Sequence, residues 1–413
     1  MHDARYDTSH IEVLDGREAV RKRPGMWVGS VGERGLHCWA FGVTDWVVDE
    51  ALAGRAGSVA VILTPDGGVR VTGDGQGVPV EAAGHTGGPG IEALLTSMPA
   101  EAELSGRYAT TVRLFANGLF VANALSSRLT AEVRRGDGVR WVQEYARGVA
   151  VAPPSPVGPA TGSATGSAIG IGSPIGIGSG TIITFRPDAD IFETTHLSYA
   201  VLAEHFRRLA FLNRGLDVTL TDERPKDHEP RSERFQFPGG AADFVTHLDR
   251  LGAGTPSPQP DESGHAEVFC FERADPRMAG TVEVAVRWCG SHEERVRSFA
   301  NSRPTPEGGT HESGFRAGTA AAVDAYARRR GLLTAAEPGR LTADRIGEGL
   351  TAVVSVKLER PEFEGATRGG LAGDAVHERV AAAVTEHLGT WLDEEPERGE
   401  AVVRRMLEGA SRS

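Results

Sequence analysis

The sequence predicts an α+β protein arranged as two consecutive units. Three observations carry this. A length of 413 residues is enough for two or three domains of ordinary size. Apolar runs with helical spacing alternate with strand-like runs bounded by turn residues. A low-complexity stretch, Pro153–Gly180, interrupts the pattern within the first unit.

Taken in order, residues 1–15 read as an arm leading into VRKRPGM at 20–26. Apolar positions Ala40, Phe41, Val43, Val47, Val48 and Leu52 predict a helix over Leu36–Leu52. The runs VAVILT (59–64) and GVRVTG (68–73) flank a PDGG turn and predict a hairpin, followed by the glycine-punctuated loop GDGQGVP (73–79). The apolar run 114–129 reads as a helix, and strands follow on both sides of GDG at 136–138. The Ser, Gly, Ala and Pro of 153–180 cannot bury a core, so this stretch is expected to be a flexible surface loop. Order resumes with a strand at 181–187, a helix ending near Leu212 and a strand at 216–223. A second unit begins near Arg224, with strands at 282–290 and 296–305, a helix at 314–331, a strand at 350–359 and a terminal helix over about 375–410.

Composition narrows the function. A net charge of −12 argues against strong nucleic-acid binding, which draws on counterion release by Lys and Arg. No apolar run is long enough to span a membrane, and MHDARYDTSHIEVLDG lacks the apolar core of a secretory signal. Three scattered cysteines (Cys38, Cys270 and Cys289) form neither a metal spacing nor a disulfide framework, which fits a reducing cytoplasm. Of 44 basic residues only Lys22, Lys226 and Lys357 are lysine, a bias that fits a GC-rich genome.

Several strings resemble the gyrase B and topoisomerase IV B family: YDTSHIEVLDGREAVRKRPGMWVGS, DEALAG (49–54), DGQGVP, NALS (123–126) and LAFLNRGLDVTLTDER (209–224). In the second unit, SFANSRPTPEGGTHESGFRAG (298–318) and EGLTAVVSVKLERPEF (348–363) resemble its transducer. The match is collinear over nearly the whole chain. It implies a GHKL-type α/β sandwich over 1–222, a ribosomal-protein-like βαβ transducer over 223–395, and a helix end and tail over 396–413. The family continues into a metal-binding cleavage module for which this sequence holds no acidic motif, so topoisomerase chemistry is not expected of the chain by itself.

The resemblance also implies where ATP chemistry would sit, and there the residues have changed. The family's general base, a glutamate that polarises water, falls on Gly42, and Asp45 is the nearest carboxylate. The magnesium-binding asparagine falls on Trp46, whose indole offers no hard oxygen ligand. The adenine-reading aspartate falls on Gly73, while Asp74, Gly75 and Gly77 persist and the motif arginine is Gln76, followed by Val78. The phosphate-cradling lid becomes Val112–Gly118, of whose glycines only Gly118 survives, and the lid lysine falls near Glu103. The transducer's QTK loop reads GATR, with Ala366 for the glutamine and Arg368 for the lysine that contacts the site. Thr181 is retained. Neither ATP nor Mg²⁺ is therefore expected as a cofactor.

Three readings stay open. In the first, the old nucleotide cavity takes a small apolar ligand or substrate, walled by Trp46, Phe115, Phe120, Arg113 and Tyr108. As an enzyme of specialised metabolism, it would use Asp45, Asp49, Asp74 or Arg113 in a cyclisation or isomerisation. In the second, the chain is a non-catalytic paralogue that homodimerises through the Tyr6-containing arm or pairs with a gyrase B protein. An aminocoumarin decoy fits less well, because the family's contact arginine falls on Val142. In the third, displaced residues sustain a weak ATPase.

Overall fold

The computed structural model describes residues 16–52, 54, 56–75, 77–80, 90–97, 118–136, 138–157, 179–224, 229–252, 268–288, 294–333, 347, 349–365 and 369–409. The arm, the lid with Tyr108, Arg113 and Phe115, Glu103, Gln76 and the loop with Ala366 and Arg368 lie outside them. The chain divides into two compact units. The first takes in the described residues up to Phe206 together with Leu216–Phe235; the second takes in Arg207–Gly215 and everything from Gln236 onward.

The first unit begins with α1 (Gly16–Lys22), α2 (Gly25–Val28) and α3 (Glu33–Leu52). The hairpin β1 (Val59–Leu63) and β2 (Val69–Gly73) follows, then α4 (Ile91–Thr96) and α5 (Gly118–Ala124). Next come β3 (Ser126–Arg134), β4 (Arg140–Ala146), β5 (Val149–Ala150), β6 (Ser155–Val157) and β7 (Gly180–Pro187). The unit closes with α6 (Tyr199–Leu212), which runs on into the second unit, β8 (Val218–Asp222) and β9 (Arg231–Phe235). These strands form one mixed sheet in the order β5-β4-β3-β7-β2-β1-β8-β9, with β6 also on β4; β1 and β8 are parallel and the other pairs antiparallel.

Helix α3 buries Leu36, Trp39, Ala40, Val43, Val47 and Val48, the stripe that three- and four-residue spacing places on one side. That stripe lies on β1, β2 and α5. Trp39 is its anchor: the ring meets Phe185 edge-on at 4.7 Å, and its Nε1–H donates to the Ala122 carbonyl at 3.0 Å. Arg21 of the VRKRPGM motif donates to the Ala124 carbonyl and to Asp188 Oδ2, both at 2.7 Å, which ties α1 to the ends of α5 and β7.

Three expectations for the first unit need correction. The run 114–129 is helical among the described residues only over Gly118–Ala124; Ser126–Leu129 opens β3, paired with β7 across a register shift between Ser126 and Arg128 and, from Arg128 on, with β4. Within the stretch 153–180 expected to be a loop, Ser155–Val157 pair with β4 and Gly180 pairs with Arg134, while 158–178 lie outside the described residues. The first unit extends past residue 222, because β9 adds to β8 as an edge strand of the same sheet.

The second unit contains α7 (Ala241–Gly252), β10 (Phe269–Asp275), β11 (Gly280–Trp288), β12 (Arg295–Ala300), β13 (Arg303–Pro304), α8 (Thr310–Arg329) and β14 (Leu350–Leu358). A short pair, β15 (Phe363–Glu364) and β16 (Gly370–Leu371), precedes α9 (Asp374–Glu394) and α10 (Pro396–Gly409). Its sheet runs β10-β11-β14-β12-β13, with β12 and β14 parallel. Central β14 is buried on both faces. Leu350, Ala352, Val354, Val356 and Leu358 join the core with α8 and α9, and Val353 joins Phe244, Phe299 and Phe211 in the α7 layer. Each such valine or leucine contributes about 1.5–3 kcal/mol by leaving water. The terminal helix expected as one piece is two. The chain breaks at Glu395, and Pro396 starts α10, where its missing N–H costs nothing. Val403 and Met406 of α10 are fully buried, so this stretch belongs to the core rather than to a tail.

Candidate functional site

The C-terminal half of α3 brings together most of the site positions that can be described. Gly42 and Trp46 stand one turn apart on the same side, and Trp46 is partly exposed. Facing Gly42 is Gly118, the first residue of α5. A Cβ on Gly42 would lie 3.1 Å from the Gly118 carbonyl oxygen, and one on Gly118 would lie 2.6 Å from the Gly42 carbonyl oxygen. The two helices therefore touch backbone to backbone, an approach that a Cβ on Gly118 would block and that a Cβ on Gly42 would make tight.

Gly73 ends β2, paired with Thr181 of β7. A Cβ at Gly73 would come within 2.8 Å of Val47 Cγ1, so a buried valine from α3 occupies the space a side chain there would need. Val78 is buried, and its N–H donates to the Thr181 hydroxyl at 3.2 Å. Phe120 is buried on α5 within the core.

The candidate carboxylates are already employed in the fold. Asp74 Oδ1 accepts the N–H groups of Gly57 (2.6 Å) and Ser58 (2.9 Å), and its Oδ2 accepts the Ser58 hydroxyl (2.9 Å). Burial works to raise its pKa, but the hydrogen bonds from Ser58 and Gly57 outweigh it and hold the carboxyl below the usual range. Asp45 lies 2.6 Å from His205 Nε2 of α6, and the His205 ring stacks on Phe41 at 3.9 Å. Asp45 thus faces α6, about 100° round the helix from Trp46. Asp49 is half-buried on the same helix.

The first unit holds a further group of paired polar residues, of which the sequence points only to Asn123, through the NALS string. The Tyr145 hydroxyl donates to Gln143 Oε1 at 2.6 Å, and Gln143 Nε2 donates to Glu92 of α4 at 2.7 Å. Burial, helped by the Glu92 charge, pushes the Tyr145 phenol up. Asn123, in the NALS string, donates to the Leu95 carbonyl at 2.9 Å, while its buried Oδ1 has no partner. The signal for Gln143 is its inward parity with Tyr145 in VRWVQEYA, a polar side chain at a core-facing strand position.

A mixed sheet layered with helices, followed by a second α/β unit with a central β14, is the GHKL ATPase-domain architecture. The solved ATPase domain of Thermus thermophilus gyrase B, in complex with an aminocoumarin, superposes with a TM-score of 0.74 at 30% identity, covering 96% of this chain and 95% of that one. The DNA gyrase B family profile matches residues 240–413. The DNA gyrase B protein of Streptomyces coelicolor is 42% identical over 98% of this chain, and a novobiocin-resistant gyrase B protein of Streptomyces niveus is 40% identical over 99% of it. The chain belongs to the DNA gyrase B family. It spans 58% of the length of those two relatives. Among the described residues no helix is long and apolar enough to cross a membrane.

Proposed function

We propose that this chain is a gyrase B-type protein that does not hydrolyse ATP, and that the face presented by Gly42 and Trp46 takes a small apolar molecule in place of Mg–ATP. The observation that carries this reading is the Gly42–Gly118 contact. Gly42 stands where the family's general base belongs, and a glutamate there would bring its Cβ to 3.1 Å from the α5 backbone. Val47 closes the adenine end in the same way, since an aspartate at Gly73 would collide with it. An indole at Trp46 supplies no oxygen to magnesium but does supply an apolar wall. Loss of the base alone removes a contribution of about 10²–10⁴ in rate.

Calorimetry with Mg–ATP and a phosphate-release assay test this directly. No binding at millimolar nucleotide and no turnover are expected. Micromolar binding with turnover that disappears in Asp45→Ala would overturn the reading. The Thermus thermophilus relative is solved with an aminocoumarin; here Val142 and Gly73 stand where the resemblance places the arginine and aspartate used by such compounds, so no aminocoumarin binding is expected. Tight aminocoumarin binding would instead favour a resistance paralogue. Kinship with gyrase B proteins supports a further part of the proposal, that the chain self-associates through residues 1–15 or pairs with a gyrase B protein. Light scattering of the chain alone, and mixed with a gyrase B protein, separates the two.

A further inference from the structure

The GGTH string at the start of α8 holds a chain of hydroxyls with a definite direction. Ser298 Oγ of β12 lies 2.7 Å from Glu312 Oε2 and 3.2 Å from the Thr305 carbonyl. Its single proton goes to the carboxylate, the shorter and charge-assisted bond. Ser298 Oγ then accepts the Thr305 hydroxyl proton at 2.9 Å. Having given that proton away, Thr305 Oγ1 can only accept from His311 Nε2, 3.2 Å distant.

A second, independent observation fixes the same answer. His311 is fully buried and its Nδ1 has no partner. Were the ring proton on Nδ1, a buried N–H would be orphaned, which folded proteins tolerate less than an under-used acceptor. Burial also holds the imidazole neutral by lowering its pKa to about 4. The segment this chain of bonds spans is the turn into α8, where Gly308 and Gly309 have φ of +70° and +127°. From that turn Gly308 accepts the Leu371 N–H at 3.1 Å, and Glu307 donates to the Gly369 carbonyl at 3.0 Å. Residues 369–371 directly follow the loop that carries Arg368.

We propose that His311, Thr305 and Ser298 form a one-way hydrogen-bond relay ending on Glu312, which locks His311 as the Nε2–H tautomer and makes it a positioning residue for the turn that anchors residues 369–371. The inference is independent of whether the first unit binds nucleotide.

The test uses the full chain with ¹⁵N-labelled histidine, the His311 signals being assigned by their loss in His311→Gln. Neutral His311 at pH 7 with its proton on Nε2 is expected. In Ser298→Ala the Thr305 hydroxyl loses its acceptor and turns toward His311, so the ring proton should move to Nδ1. The Leu371 and Glu307 amides should then exchange about five- to ten-fold faster, as the loss of one net hydrogen bond implies. Thr305→Ser keeps the hydroxyl and should keep both the tautomer and the exchange rates. A protonated or Nδ1–H His311 in the unmodified chain overturns the proposal even if the serine variant does not fold. An unchanged tautomer in a folded Ser298→Ala does the same.

Discussion

Two of the helix–helix contacts among the described residues are made through two glycines each, one contact in each unit. In the second unit Gly314 and Gly318 let α8 lie on α9: Cβ atoms there would fall 2.6 Å from the His377 carbonyl oxygen and 2.5 Å from that of Ala381. The motif around them, GGTHESGFRAG, keeps its family character. In the first unit Gly42 and Gly118 let α3 lie on α5, where the family resemblance places a glutamate and a glycine-rich lid. The same device joins two helices in both places, and in the proposed reading the first-unit contact also closes the site. A glycine's meaning thus lies in what the missing side chain would have met and done, rather than in the residue itself.

The comparison breaks most visibly if the scaffold contact can absorb bulk. Gly318→Val should destabilise the second unit by about 3 kcal/mol or more, because the obstacle is the backbone of α9, which cannot turn aside. Urea denaturation followed by far-UV dichroism measures it, and a cost below about 1 kcal/mol would show that α9 shifts freely.

An acid titration of stability tests the buried polar chemistry of the second unit at nearly the same magnitude. His311 has a folded pKa of about 4 against an ordinary 6.5. It is neutral in the native state and gains its proton on unfolding below 6.5. Its contribution is therefore complete above pH 6.5 and is lost as pH falls from 6.5 toward 4, about 3 kcal/mol in all. His311→Gln should flatten that part of the profile. The lowered carboxyls of Asp74, Asp188 and Asp222 act in the same direction at lower pH, since each favours the fold only while ionised.

Smaller effects sharpen the first-unit half of the comparison. Gly118→Ala should cost about 1–3 kcal/mol, its Cβ pressing on the Gly42 carbonyl. Trp46→Ala should cost less, about 1–2 kcal/mol, because the ring is only partly buried, while abolishing binding of any apolar ligand. Gly42→Ala should come close to neutral, since a tight 3.1 Å contact is offset by about 1 kcal/mol of helix propensity. None of the three should produce ATP turnover in a phosphate-release assay. Turnover from Gly42→Glu alone would show that α5 yields and that the contact does not close the site.

What was legible in the sequence was local. The apolar stripe of α3 and the PDGG hairpin followed from spacing and turn chemistry, and the resemblance placed Gly42, Trp46 and Gly73 at the site positions. What stayed hidden depends on residues far apart in the chain. Nothing near Gly42 announces that Gly118 lies against it, nor does anything near Gly73 announce the reach of Val47. Nor does the sequence show that Gly57 and Ser58 lie on the oxygens of Asp74, or that His205 lies against Asp45. Ser126–Leu129 misled because an apolar run supports helix and strand alike, and only pairing with β4 and β7 decides. Strand β9, with its charged RSERF, carries too little apolar alternation to be read before its partner β8 is known.

The segment between β6 and β7 has a different kind of consequence. Val157 and Gly180 are both held in the same sheet, one paired with Arg140 of β4 and the other with Arg134 of β3. The tract between them repeats Gly, Ser, Ala and Ile in near-copies. A Gly, Ser and Ala composition offers little apolar surface to bury, so added copies of the repeat are expected to cost only the logarithmic closure term, about 0.6 kcal/mol for a doubling. Replication slippage in such a repeat would thus pass almost unnoticed by folding, and length variants should be common among otherwise matching chains. The same tolerance makes this stretch a natural place to insert a fluorescent reporter or affinity tag without disturbing either unit.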